Sequence, residues 1–309
     1  MNAPEPGIYP GIPFEQYMQW DAVNNSLLSV LINKSPAHAK LYTQEPLDTE
    51  ALRFGHALHT RALEPQLYGQ RYAIRPECDR RTKEGKAIYE GFLSILDGKA
   101  ELTEAENASI EAICANIERH RIHRFIEKGQ SEVCIVWRDA KTGLLCKARL
   151  DYYHDGENII VDLKSTTDAS YDGFTGSIFK FNYFQQSAWY CDGIKTLKGD
   201  MPSFVFMAFE KKPPYACAAY EAADEVLIAG RKTYRRALNL YQECMATNHW
   251  PGYPDRVEII TMPQWALNRL GAGQYNLITE EEDNGPEKYN SGAIETDWDE
   301  LEREARESE

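Results

Sequence analysis

Two strand-like runs separated by a tight-turn signal constrain the fold of this chain more than any other feature. The first run ends near Tyr153 and the second begins near Ile159, with Asp155 and Gly156 between them. An Asp-Gly pair between apolar runs favours a two-residue β-hairpin turn. The sequence therefore predicts an antiparallel strand pair near the middle of the chain.

The second run carries charged residues in a pattern that a strand would gather into one place. Side chains alternate between the two faces of a strand, so Asp162 and Lys164 share a face. Asp151 lies across the hairpin. A carboxylate pair can hold a hard divalent cation, and an adjacent ammonium can stabilise charge during phosphodiester cleavage. The alternative is a solvated strand face with a cross-strand ion pair.

Two segments with helical periodicity flank the hairpin. The upstream segment is closed by Pro65, and its periodic residues are Leu52, Gly55, Leu58 and His59. Glycine in a helix costs about 1 kcal/mol relative to alanine, so we expect close backbone packing at Gly55. Downstream, Gln186 and Tyr190 lie four residues apart on one side of a helix. The alternatives to functional roles are a core histidine at His59 and a plain polar edge on the downstream helix.

Taken in order, these residues resemble the motifs of the PD-(D/E)xK nuclease superfamily in its RecB-like branch. More closely, the chain resembles the RecE-type (exonuclease VIII-like) nucleases over about residues 7 to 270. The segments that carry the resemblance include FGHALHTRALEP, RPECDRRTKEGKA, TGLLCKARLDYY, VDLKSTTD and FQQSAWYCDGI. Leu150 stands where the superfamily name expects proline, a position without a chemical role. The expected fold is α/β, with a central mixed β-sheet flanked by helices.

The resemblance implies a role for each motif residue. The metal ligands would be His59, Asp151, Asp162 and the backbone carbonyl of Leu163. Lys164 would be the catalytic lysine, and Glu132 matches an additional acidic position that could hold metal-bound water. Gln186 and Tyr190 match a glutamine–tyrosine helix motif that lies beside the site and contacts the lysine, water or the DNA backbone.

The net charge of −14 is unevenly distributed along the 309 residues. From Gly271 onward the net charge is −10, which leaves −4 for the rest. We therefore predict an exonuclease domain at 1–271 and an acidic tail, flexible or partner-binding, at 272–309. Residues 71–86 are net +3 and predict contact with DNA phosphates, the alternative being a solvated face. The residues expected to contact DNA are Arg80, Arg81, Lys83 and Lys86.

Composition argues against several other classes of protein. The sequence has no run of 18 apolar residues and no signal-like N-terminus, so we expect no membrane association and a location in the cytoplasm of a bacterial host cell. The seven cysteines form no C-x-x-C pair. This pattern argues against a disulfide framework and against a four-cysteine iron–sulfur cluster.

These expectations predict a Mg²⁺-dependent exodeoxyribonuclease in which Mn²⁺ would substitute. By resemblance, the enzyme would digest double-stranded DNA ends from 5′ to 3′ and leave 3′ single strands for phage-type recombination or annealing. The resemblance also implies a homo-oligomeric ring, expected to be a tetramer, and a RecT-like single-strand annealing protein as partner. The alternatives are a structure- or sequence-specific endonuclease of the same fold and a non-catalytic DNA-binding or loading protein.

Overall fold

The computed structural model describes residues 2–42, 50–126 and 128–263. The described residues up to Tyr253 form one compact unit, and the described residues from Pro254 to position 263 belong to a second unit. The tail predicted at 272–309 and its boundary lie outside the described residues, so both stay predictions. Among the described helices, none is long and apolar enough to cross a membrane.

A six-stranded mixed sheet forms the centre of the first unit. Numbered along the chain, its strands are β1 (Gly7–Tyr9), β4 (Gln130–Arg138), β5 (Leu145–His154), β6 (Ile159–Thr166), β7 (Ser203–Glu210) and β8 (Cys217–Glu221). They lie side by side in that order, and only the β6–β7 pair is parallel. A separate parallel pair consists of β2 (Tyr72–Arg75) and β3 (Ala100–Thr103). The predicted mixed sheet is confirmed.

Helices cover both faces of this sheet. The described helices are α1 (Phe14–Met18), α2 (Asn25–Asn33), α3 (Pro36–Lys40), α4 (Glu50–Leu63), α5 (Pro65–Arg71), α6 (Lys83–Leu96), α7 (Glu104–Arg119), α8 (His123–Ile126), α9 (Tyr171–Lys180), α10 (Tyr183–Lys198) and α11 (Asp224–Thr247).

Strand β6 lies between two hydrophobic cores, which explains its apolar composition. Ile160 belongs to the core formed with α2, α10 and α11. Val161 and Leu163 belong to the opposite core, formed with α4 and α7. Because strand residues alternate, Asp162 and Lys164 share the face of Ile160 and point to the α10 side of the sheet.

The turn between β5 and β6 differs from the predicted two-residue hairpin. His154 pairs with Ile159, so residues 155–158 form the loop. Asn158 ends this loop with a left-handed φ of 51°, a conformation in which asparagine is enriched. The prediction was right about the position of the turn and wrong about its length.

Helix α4 also departs from the expected pattern. Leu58 is fully buried, but Leu52 is 41% exposed. A Cβ atom added at Gly55 would meet no described heavy atom within 4 Å, so the close backbone packing expected there is not found. Pro65 does more than follow α4, because it is the first residue of α5, a position that tolerates its missing N–H.

The close helix contact lies instead between α10 and α11. A Cβ atom at Gly230 would lie 1.9 Å from the carbonyl oxygen of Phe184 and 2.8 Å from the Cβ of Ala188. No side chain fits there without movement of α10. Gly230 therefore sets the position of the helix that carries Gln186 and Tyr190.

We expect Gly230→Ala to lower the free energy of unfolding by about 2 kcal/mol or more, because overpacking would force α10 outward. Gly91 in α6 provides a matched control, since a Cβ there would meet no described heavy atom within 4 Å. Gly91→Ala should be neutral or stabilise the protein by up to ~1 kcal/mol. Urea unfolding measures both variants, and equal stabilities would contradict the proposed constraint at Gly230.

Candidate active site

Strands β5 and β6 separate beyond their paired ends, and the separation forms the candidate site. Their pairing joins residues 152–154 to residues 159–161. Further along, the backbone N–H of Leu163 donates to Oδ2 of Asp151 at 2.8 Å. A side chain thus replaces the backbone acceptor of the neighbouring strand. Asp151 thereby reaches β6 and lies next to the charged face of that strand.

Asp162 and Lys164 are neighbours, as strand alternation predicted. Oδ2 of Asp162 lies 2.5 Å from Nζ of Lys164, and the two side chains are 0% and 13% exposed. The alternative of a solvated strand face is therefore wrong. Gln186 donates from Nε2 to Oδ1 of Asp162 at 3.2 Å and to the hydroxyl of Tyr190 at 3.0 Å. Of the predicted glutamine–tyrosine pair, Gln186 thus contacts the acidic cluster directly and Tyr190 contacts Gln186.

Helix α4 brings His59 to the same cluster. Nδ1 of His59 lies 3.6 Å from Oδ2 of Asp151, which is too long for a regular hydrogen bond. The ring also faces the backbone carbonyl of Leu163. Burial lowers the pKa of His59, which favours the neutral imidazole that a metal requires. The structure thus gathers every residue that the resemblance implied as a metal ligand.

Glu132 lies in β4 with an unusual backbone conformation. Its φ is 54°, which is uncommon for a residue other than glycine, and the β4–β5 register places it opposite Asp151. Its carboxylate contacts Arg149, with Nε and Oε2 2.5 Å apart. Arg149 also donates to the carbonyl oxygen of Ile12 at 2.7 Å. Sequence reasoning missed Arg149, which holds Glu132 beside the site; a water-holding role for Glu132 stays a prediction.

The buried Lys147 precedes Arg149 and Asp151 on the same face of β5. Its Nζ donates to the carbonyl oxygens of Tyr17, Met18 and Trp20 at 2.9, 3.3 and 2.8 Å. Burial lowers the pKa of Lys147 to about 8. This lysine fastens the N-terminal segment to the strand that carries Asp151, a contact between distant residues that has no local sequence signal.

Tyr183 is a second site residue that sequence reasoning missed. Its ring centroid lies 4.9 Å from Nζ of Lys164, in a cation–π contact. A signal was available, because Tyr183, Gln186 and Tyr190 recur at spacings of three and four and therefore share one face of α10. That face lines the site.

The comparisons with known proteins agree with this geometry. Residues 26–263 match the family described as a PDDEXK-like domain of unknown function (DUF3799). The chain belongs to this family. The resemblance to the PD-(D/E)xK superfamily and the predicted fold class are thereby confirmed. No curated protein matches the chain.

The solved structures that match this PDDEXK-like chain include the following two. One is a "putative exonuclease" from Eubacterium rectale, with a TM-score of 0.56 and 17% identity over 83% of this chain and 97% of that chain. At this identity the likeness shows a common fold and nothing finer. The other is the protein SSO0001, with 16% identity over 63% of this chain and 88% of that chain; its TM-score of 0.28 carries no argument.

The PDDEXK-like site fits a divalent cation, which nucleases of this superfamily generally use. Apart from Nζ of Lys164, which lies 2.5 Å away, the buried Oδ2 of Asp162 has no partner among the described residues, so its second lone pair is available to a ligand. Hard cations prefer such oxygens. Among the described residues, no three acidic, histidine or cysteine side chains are already arranged as a metal centre. The groups that would hold the cation are His59, Asp151, Asp162 and the carbonyl of Leu163.

The buried charges of the PDDEXK-like site shift one another's pKa values. Burial raises the pKa of Asp151 to about 6, against the charge of Lys164, which lowers it. Burial also raises the pKa of Asp162 to about 6, again against Lys164. For Lys164, burial lowers the pKa, but the charges of Asp162 and Asp151 outweigh burial and raise it. The fold therefore carries two carboxylates whose ionised forms cost stability.

We expect Asp162→Asn to stabilise the metal-free protein at neutral pH. The folded-state pKa of about 6 lies above the usual 3.8, so the stability that Asp162 contributes is full below about pH 4 and lost as the pH rises through 6. Asparagine mimics the protonated acid and avoids this loss. In EDTA, the variant should match wild type near pH 4 and exceed it by on the order of 2–3 kcal/mol above pH 7.

Urea unfolding at the two pH values measures this difference. Mg²⁺ should then raise the stability of wild type more than that of the variant, because the cation binds the ionised carboxylate. If the difference in stability between Asp162→Asn and wild type were the same at pH 4 and pH 7, burial of the ionised Asp162 would not be the cause of that difference.

The predicted DNA-contacting residues lie together but outside the acidic cluster. Arg80, Arg81, Lys83 and Lys86 are exposed, at the start of α6 and in the loop before it. Nε of Arg81 lies 3.0 Å from Oδ1 of Asp79, and the guanidinium of Arg80 lies 4.7 Å from the centre of the Tyr89 ring. Arg80 and Tyr89 line a cavity of about 460 Å³. Exposed side chains fit both phosphate contact and a solvated face, so DNA contact by these residues stays a prediction.

Proposed function

We propose that this PDDEXK-like protein is a Mg²⁺-dependent DNA exonuclease of the RecE type. The observation that carries the proposal is the buried cluster of Asp151, Asp162 and Lys164 at the separation of β5 and β6. A structural role alone does not account for this cluster, because both carboxylates have raised pKa values and therefore destabilise the metal-free fold. Proteins tolerate such costs mainly where function requires them.

Each side chain of the cluster has a distinct task in this proposal. A bound divalent cation would polarise the phosphate and lower the pKa of an attacking water. Lys164, kept positive by the two carboxylates, would stabilise the negative charge on the phosphate. Gln186 orients Asp162 by its amide hydrogen bond and is itself held near Tyr190. His59 would stay neutral and offer a ring nitrogen.

The finer parts of the proposal rest on the resemblance to RecE-type nucleases. They are action on double-stranded DNA ends, 5′ to 3′ polarity and production of 3′ single strands for phage-type recombination. They also include a homo-oligomeric ring, a RecT-like annealing partner and a cytoplasmic location.

End-labelled DNA tests the proposal. Linear duplexes labelled at the 5′ or the 3′ terminus and covalently closed circles are incubated with wild type and Lys164→Met, with and without Mg²⁺. With Mg²⁺, wild type should release 5′ label first, preserve the 3′-ending strand and leave circles intact. Without Mg²⁺ it should degrade no DNA. Cleaved circles would favour an endonuclease. DNA binding without any cleavage would favour a loading protein.

A further inference from the structure

A row of aromatic rings leads from the candidate active site to solvent at the corner between α9 and α10. The Tyr183 ring lies 4.9 Å from Nζ of Lys164, and the Phe181 ring lies 5.6 Å from that of Tyr183. Phe179 and Phe181 are each 55% exposed. We call Phe181 and Tyr183 the ring surface; Phe179 is not part of it, because its ring packs against that of Phe184 at 5.6 Å. The ring surface is continuous with the site lysine and open at its outer end.

Local packing does not explain why Phe181 is exposed at this corner. Phe181 follows the last residue of α9, and Asn182 reverses the chain with a left-handed φ of 56° before α10 begins. The Asn182 side chain donates to Oδ1 of Asn33 at 3.0 Å, which fixes the corner. A fixed backbone therefore presents the Phe181 ring outward. Exposed apolar rings in a defined arrangement generally mark an interaction surface.

A cation accompanies the exposed ring. Nζ of Lys180 lies 5.3 Å from the centre of the Phe181 ring. An aromatic face beside an ammonium matches a nucleic-acid strand, in which a flat base neighbours a phosphate. Protein surfaces that bind single strands combine these two groups, with rings for the bases and cations for the backbone.

We propose that Phe181, backed by Tyr183, stacks on an unpaired nucleobase of the DNA strand whose phosphate lies at Lys164, and that Lys180 neutralises a neighbouring phosphate. The proposal rests on the proposed nuclease function. Bases inside a duplex are already stacked on their neighbours, so the ring surface would select DNA with unpaired bases next to the cleaved bond. The assignment adds a specificity-determining contact to the acidic cluster, which recognises only phosphate and metal.

Fluorescence of a base analogue tests the stacking directly. A single-stranded oligonucleotide containing 2-aminopurine is titrated in EDTA, where no cleavage occurs, with wild type, Phe181→Leu, Lys180→Met and Tyr253→Leu. Leucine keeps an apolar side chain and removes the ring face. Tyr253 is the matched control, because its exposed ring contacts His38 and not the ring surface.

Wild type and Tyr253→Leu should quench the analogue equally. Phe181→Leu should lose most of the quenching and bind about tenfold more weakly, with an unchanged dependence on salt. Lys180→Met should keep the quenching but reduce the slope of log affinity against log salt by about 0.7. Quenching and affinity of Phe181→Leu that equal those of wild type would overturn the proposal. The proposal would also be overturned if Phe181→Leu changed the oligomeric mass but not the quenching. That result would show that the ring surface is a contact between copies of the chain.

Cleavage assays separate this inference from the proposed function. With Mg²⁺, Phe181→Leu should need about tenfold more linear DNA for half-maximal rate, while the rate at saturation stays near that of wild type. Wild type that quenches the analogue but degrades no DNA would refute the nuclease and keep the stacking surface. Wild type that degrades DNA but does not quench the analogue would keep the nuclease and refute the stacking surface.

Discussion

The Lys164→Met variant should degrade DNA ends about 10²–10⁴ times more slowly than wild type and should still fold. Methionine keeps most of the buried stem but removes the charge that lies 2.5 Å from Asp162. Without that charge the two carboxylates repel each other more strongly, and the phosphate loses its nearest protein cation. Initial rates on end-labelled duplex over a range of Mg²⁺ concentrations measure the loss.

Lys211→Met controls for the removal of a lysine as such, because Lys211 is exposed beyond the end of β7. Its rate should equal that of wild type. Added Mg²⁺ should not restore Lys164→Met, since a cation at the carboxylates does not replace an ammonium beside them. A variant at Lys164 with near-normal rates would remove the lysine from the proposed mechanism.

The second large effect concerns stability. We expect Lys147→Met to lower the free energy of unfolding by about 3 kcal/mol, because three carbonyl groups would each lose a hydrogen bond from a charged donor. Removing the buried charge recovers part of this loss, since burial already lowers the pKa of Lys147. The three lost bonds outweigh the recovery even though the carbonyls of Tyr17 and Trp20 keep backbone donors, because each hydrogen bond to a charged group contributes about 1.5–3 kcal/mol.

Urea unfolding at pH 7 compares this variant with Lys141→Met, whose exposed side chain should contribute little. Methionine at position 147 that left stability unchanged would show that the carbonyls find other partners. The nuclease rate of the folded fraction separates a loss of fold from a loss of chemistry.

Local periodicity allowed the central strands and much of the site to be predicted. The alternation along β6 placed Asp162 beside Lys164 correctly, because the geometry of a strand depends on no distant partner. The four-residue spacing of Gln186 and Tyr190 placed them on one side of α10 for the same reason. The gathering of His59 with Asp151 followed from the family resemblance and not from spacing, since two separate elements must meet.

Sequence reasoning missed the contacts that depend on distant segments. Arg149 looked like one more charge in a strand, yet it joins Glu132 to the backbone at Ile12. Gly55 looked like a close-packing residue, whereas the close approach lies at Gly230, where a second helix passes. Spacing along one element cannot reveal which partner it meets, so these assignments required the packed molecule.

The hydrogen bonds of Lys147 and Arg149 in β5 also limit how far this protein can be truncated at its N-terminus. The family match begins at residue 26, but the carbonyl acceptors of Lys147 and Arg149 belong to Ile12, Tyr17, Met18 and Trp20. A recombinant fragment that starts at the match would remove the three carbonyl acceptors of the buried Lys147, leave Arg149 with Glu132 but without Ile12, and expose the edge of β4 that β1 covers. Such a fragment should aggregate during expression, so we expect the smallest autonomous folding unit to begin before residue 26, where the family match starts.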